Sequence, residues 1–131
     1  MGGEATRRAA AVRTAAGWTL KRLEEQALER GDCGDRRRLF SRDDPSPAAF
    51  IHAVRIRDAK PHYHRRATEY YYVLEGEGVM VLDGEEVPLA PGCCLEVRPG
   101  TVHRARGSAP DGLLVLVIGV PSIADDDIFY P

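Results

Sequence analysis

The chain has 131 residues, 18 basic against 20 acidic side chains and a formal net charge of −2, which fits one domain with a core of its own. That near-neutral balance argues against a nucleic-acid partner or a polybasic membrane contact. Three cysteines are too few for a disulfide framework, so a reducing cytoplasm is the expected compartment.

Residues 1–35 read as a tail followed by a short helix or arm. The first 16 residues are rich in Ala and Arg with Glu4 as the single acid, which is faintly transit-like, and Met1-Gly2 with Thr6 nominally fits a myristoylation pattern. An unstructured or helical tail is the expectation over both. Over residues 19–30, Leu20, Leu23, Ala27 and Leu28 fall on one helical stripe, Gly31 supplies a stop, and Trp18 is expected to pack on the main body. An extended arm is the competing reading. Cys33, in Asp32-Cys33-Gly34, sits in a loop as a candidate reactive thiol.

From Arg36 onward the period shifts to two, and turn signals recur at Asp43-Asp44-Pro45-Ser46-Pro47, Glu75-Gly76-Glu77-Gly78, Asp83-Gly84, Ala90-Pro91-Gly92, Pro99-Gly100 and Pro110-Asp111-Gly112. Many short strands so punctuated argue for an all-β sandwich or barrel of antiparallel strands. In Phe50–Arg57, the residues Phe50, His52, Val54 and Ile56 share one face and Arg55 and Arg57 the other. The apolar face is the inner one, which carries His52 inside as a hydrogen-bond partner, a substrate contact or a core histidine satisfied by backbone.

His62 and His64 leave one face of an extended strand and can converge on one ion. Four residues allow a turn before Glu69, which opens the strand Tyr70-Tyr71-Tyr72-Val73-Leu74 with its carboxylate aimed at the same point. Tyr71 shares the face of Glu69 and Val73, as a cavity hydroxyl or a core tyrosine, while Tyr63 points away from the ion. Val79–Leu82, Asp83-Gly84 and Glu85–Val87 make a hairpin. Cys93 and Cys94 face opposite ways, and whichever points inward narrows the pocket. A further imidazole stands at His103, and Leu113–Val120, the longest apolar run, reads as a buried strand rather than a membrane span. Residues 123–131, with Asp125-Asp126-Asp127 and Phe129-Tyr130, read as a solvated acidic tail whose aromatic end docks on the body or on a second subunit. A second metal site on those aspartates is the minor alternative.

Two imidazoles, a carboxylate and a distant imidazole form a plausible mixed N/O metal site. These residues resemble the two signature motifs of the cupin family. His62, His64, Glu69 and Gly76 fit every interval of the first motif, and Gly92, Gly100 and His103 match the second. The chain departs from the pattern at Ile56, where a glycine is usual, at Arg98, which replaces a proline with Pro99 following, and at Gly107, where the family often has Asn. The resemblance covers about residues 48 to 120.

It implies a jelly-roll cupin barrel, an antiparallel double-stranded β-helix, over residues 36–122. It also implies a metal held by His62, His64, Glu69 and His103, and a homodimer formed by sheet packing or strand exchange. Three imidazoles with one carboxylate leave open positions on a six-coordinate ion, which suits Fe, Mn, Ni or Co, with Zn as an adventitious occupant. The expected pocket is mostly apolar and takes a small molecule that chelates the ion. The favoured reading is a dioxygenase-type enzyme in which His52 or Tyr71 orients substrate or transfers a proton. A non-catalytic ligand-binding module, or an isomerase or epimerase acting on a sugar-like substrate, is the alternative.

Overall fold

The computed structural model describes residues 12–15, 17–44, 48–108, 110–122 and 125–131, so the tail readings over residues 1–11 and the Pro45–Pro47 part of one turn lie outside the described residues. Among the described residues eleven strands run in chain order: β1 (Val12–Ala15), β2 (Trp18–Lys21), β3 (Leu28–Arg30), β4 (Asp35–Phe40), β5 (Phe50–Ile56), β6 (Thr68–Glu75), β7 (Gly78–Leu82), β8 (Glu85–Leu89), β9 (Cys94–Val97), β10 (His103–Gly107) and β11 (Leu113–Val120). They form a six-stranded sheet in the order β3-β4-β5-β11-β6-β9, a three-stranded sheet β10-β7-β8 and the ribbon β1-β2. All pairings are antiparallel.

Alternation decides which face of the large sheet is buried. On β11, Leu113, Val115 and Val117 are buried while Leu114, Leu116 and Ile118 are only partly covered. Val54 and Ile56 of β5 and Tyr71 and Val73 of β6 join them, and Met80 of β7, fully buried, reaches in from the smaller sheet. Each such side chain contributes about 1.5–3 kcal/mol of transfer free energy, and together they hold the two sheets face to face. The β7–β8 hairpin turns on Asp83 (φ 47°) and Gly84 (φ 89°), the pair of left-handed residues that a two-residue turn of this hand requires. Gly76 is needed for a different reason: at φ 83° a Cβ would stand 2.0 Å from the carbonyl oxygen of Gly112.

The N-terminal segment takes the extended form. The stripe over residues 19–30 builds no helix. Instead β2 pairs with β1, a 3-10 turn covers Leu23–Glu25, and β3 adds to the edge of β4. Trp18 (53%), Leu20 (46%) and Leu28 (61%) stay largely exposed, so the apolar stripe is not buried in the core. A helix that short gains little from propensity alone, whereas β3 satisfies its backbone on an open sheet edge.

Within the acidic run Asp126 is exposed, but Asp127 is not solvated. Asp127 is 1% exposed, and its carboxylate accepts the backbone N–H groups of Arg65, Arg66 and Ala67 at 3.1–3.2 Å. Phe129 exchanges backbone hydrogen bonds with Tyr63 and stacks on its ring at 5.6 Å, so the aromatic end docks on the body.

Candidate metal centre

The two sheets meet where His62 and His103 exchange backbone hydrogen bonds of 3.1 and 2.9 Å, an isolated bridge that sets their rings 4.3 Å apart. His103 opens β10 on the smaller sheet, and Glu69 is the second residue of β6 on the larger one. His62 and His64 lie on the segment between β5 and β6, with Tyr63 turned the other way onto Phe129. All four candidate ligands are buried, between 1% and 7% exposed, and one donor atom from each lies within 4.8 Å of the others.

Each imidazole is oriented from behind. His62 Nδ1 faces the carbonyl of Lys60 at 2.8 Å, His64 Nδ1 that of Asp127 at 2.8 Å, and His103 Nδ1 that of Thr101 at 2.9 Å. A carbonyl only accepts, so in all three rings Nδ1 carries the proton and the Nε2 lone pair points inward. This is the arrangement that metal-binding histidines use. His64 Nε2 lies 3.0 Å from Glu69 Oε1 yet is buried without a well-aligned hydrogen bond. Buried polar atoms are normally satisfied, and a cation held among these donors would satisfy this one. The donor set therefore fits a divalent transition ion.

Electrostatics agree. Burial alone raises the Glu69 carboxyl, but the facing imidazoles of His103 and His64 outweigh it and hold the group well below the usual carboxylate range. Burial pushes His64 down, and the Glu69 carboxylate reverses that, leaving it above its ordinary value. His62 is pushed down, first by burial and then by repulsion from His103. Glu69 thus stays anionic among groups that would share a positive charge.

A cavity of about 440 Å³ opens onto the centre. The register of the large sheet sets one wall as a cross-strand row: Arg38 of β4 beside His52 of β5, beside Val117 of β11, beside Tyr71 of β6, all lining the cavity. Phe50 and Val54 line it too, as expected of the inward face of β5. Tyr71 is 3% exposed and donates its hydroxyl to Glu69 Oε1 at 3.1 Å. Burial first, then the Glu69 carboxylate, raises the Tyr71 hydroxyl well above its ordinary value, so it stays protonated. Neither Cys93 nor Cys94 lines this cavity: Cys93 packs against the core and Cys94 is exposed. Cys33 does, with Sγ 4.0 Å from His62 Nε2. Burial, then the carboxylates of Glu69 and Asp32, pushes its thiol up to about 12, so it is no reactive thiolate.

Sequence reasoning missed two features. The cavity is less apolar than expected, because Arg36, Arg38 and Arg42 line it. The alternation of Arg36 and Arg38 on a strand was the available signal. Asp127, which braces the turn carrying His64, gave none, since some 60 residues separate it from its partners.

A cupin-domain family model matches residues 56–119. The structure of a protein from Planctomyces limnophilus superposes with a TM-score of 0.79 at 26% identity, over 89% of this chain and 100% of that one. KdgF from a Halomonas species gives 0.66 at 26% identity, over 79% and 94%. A nucleoside dehydratase, found in Streptomyces, gives 0.70 at 20%, over 84% and 88%. A comparison with curated protein sequences finds no match.

Proposed function

The chain belongs to the cupin superfamily, and from that premise we propose that it is a metal-dependent enzyme of dioxygenase type acting on a small chelating organic molecule. The observation that supports it most is the convergence of His62, His64 and His103 with Glu69 around one point, each imidazole fixed through Nδ1 so that Nε2 is left toward the other donors. The nucleoside dehydratase is 20% identical and supports the fold alone, so the reaction is argued from the site.

When bound, an Fe, Mn, Ni or Co ion supplies Lewis acidity and open positions for chelation and, if redox-active, O2 chemistry. The chain's residues do the rest. Glu69 lends one negative charge, and its bond from Tyr71 fixes which oxygen faces the ion. Tyr71, held protonated, serves as a hydrogen-bond donor rather than a base. His52 lies beside Val117 on the same wall, placed to orient substrate or carry a proton.

Two other parts of the account belong to this proposal. A homodimer would cover the outer face of the large sheet, where Tyr72 and Leu74 are each 42% exposed. Among the described residues no helix is long and apolar enough to cross a membrane, and a reducing cytoplasm suits the free cysteines.

The test is oxygen uptake by protein reconstituted with Fe(II), Mn(II), Ni(II) or Co(II) in the presence of catechols, flavonols, thiols or diketones. The proposal expects metal-dependent consumption that stops on chelation with EDTA. Tight ligand binding without turnover across these classes would instead mark a non-catalytic binding module. Turnover of a sugar-like substrate without oxygen would mark an isomerase or epimerase.

A further inference from the structure

The far end of the cavity from the metal ligands is built of arginine. Arg36 and Arg38 alternate along β4, so both face inward beside Val54 and His52, while Arg37 turns away to bond the carbonyl of Gln26. Arg42 follows on the turn after β4 and lines the same cavity. A single carboxylate, Glu29, bonds the Nε atoms of both Arg36 and Arg38. Held by one carboxylate, the two guanidiniums are oriented side by side along the strand.

Two acids line the cavity there, Asp32 and Asp126. Asp126 is paired with Arg66 at 3.2 Å. Of the charged residues that line the cavity besides Glu69, the three arginines Arg36, Arg38 and Arg42 stand against Asp32 and Asp126, one more cation than acid. A divalent ion beside Glu69 adds a second net positive charge. A cluster of guanidiniums in a partly enclosed cavity attracts anions, and guanidinium matches the two oxygens of an oxyanion.

The same sheet register fixes the span. Arg38 lies three strands from Tyr71, with His52 and Val117 between them. At the usual strand spacing their backbones are roughly 14 Å apart, a distance filled by the reach of the arginines and a ligand several bonds long. Phe50, Val54 and Val117 make the middle of that wall apolar.

We infer that the substrate is a two-ended anion: oxygen donors at one end chelate the ion, and a carboxylate or phosphate at the other is held by Arg36, Arg38 and Arg42. This rests on the metal-centred reading above and adds the substrate's charge and polarity. A neutral sugar or unsubstituted chelator fills the metal end and leaves the guanidiniums unused.

Co(II)-loaded protein titrated with catechol, 3,4-dihydroxybenzoate and 3,4-dihydroxybenzylamine, followed by the cobalt absorption bands, tests it. A phosphonate analogue of the second probe distinguishes phosphate from carboxylate preference. The two acids are expected to bind at least about tenfold tighter than catechol, and the amine more weakly, from the strength of charge-assisted hydrogen bonds. Arg38→Gln should remove most of that preference while catechol still binds. Because Arg38→Gln also frees Glu29, Arg42→Gln, on an exposed turn, is the second variant, expected to narrow the preference in part. Equal affinity for all the probes, or an acid preference unchanged in both variants, would overturn the inference and leave the metal reading standing. Failure of the wild type to take up Co(II) would overturn both.

Discussion

Tyr71 shows how one side chain serves the centre without being a ligand. Its hydroxyl donates to Glu69 Oε1 from a buried position, and both burial and that carboxylate keep it protonated. Tyr71→Phe removes the donor and little volume. The expected outcome is near-normal metal content, measured by elemental analysis, with turnover reduced at least about tenfold, in keeping with the loss of one well-placed proton donor or orienting group. A variant that loses its metal instead would place Tyr71 with the structure of the site and not its chemistry. His52 stands two strands away across Val117, so its replacement should raise KM more than it lowers kcat.

At the scale of elements, the segment after β11 is the least expected part of the centre. The Asp127 carboxylate gathers three consecutive backbone N–H groups of the turn between His64 and β6, and its own carbonyl accepts from His64 Nδ1. One residue thus fixes both the turn and the ring. Burial works against the Asp127 charge, but the N–H groups of Ala67, Arg65 and Arg66, with the Arg66 guanidinium, hold its carboxyl below the ordinary range. Because the folded value is depressed, the unfolded chain binds more protons and stability rises with pH in that window. The contribution is present above the unfolded value, about pH 4, and fades as pH falls through the folded one. Asp127→Ala should cost about 2–4 kcal/mol near neutrality, from three backbone donors losing a charged acceptor. In thermal melts, the gap between wild type and Asp127→Asn should be widest between about pH 6 and 8 and should close below about pH 4. A gap independent of pH would show that the carboxylate's charge contributes nothing.

Over the whole molecule, what the sequence made legible was what local periodicity carries. His62-x-His64 and Glu69 opening an aromatic strand are readable because side chains two apart share a face, and the hairpin at Asp83-Gly84 because only such residues accept its backbone. His103 became legible through the spacing of the second motif rather than through any local rule. The arginine wall was missed because Arg36 and Arg38 face inward only once β4 is registered against β5. Asp127 was missed for the same kind of reason, since its partners lie across the fold. The N-terminal stripe misled because helical spacing of Leu20, Leu23 and Leu28 stabilises a helix only against an apolar neighbour, and Leu20 and Leu28 are exposed.

The account turns on whether these four buried groups hold one ion together. Elemental analysis of protein purified without added metal, with His103→Ala as its partner and circular dichroism to confirm that both are folded, tests this most directly. Wild type is expected to carry close to one divalent transition ion per chain and the variant a small fraction of that. Equally low metal in two folded proteins would contradict it.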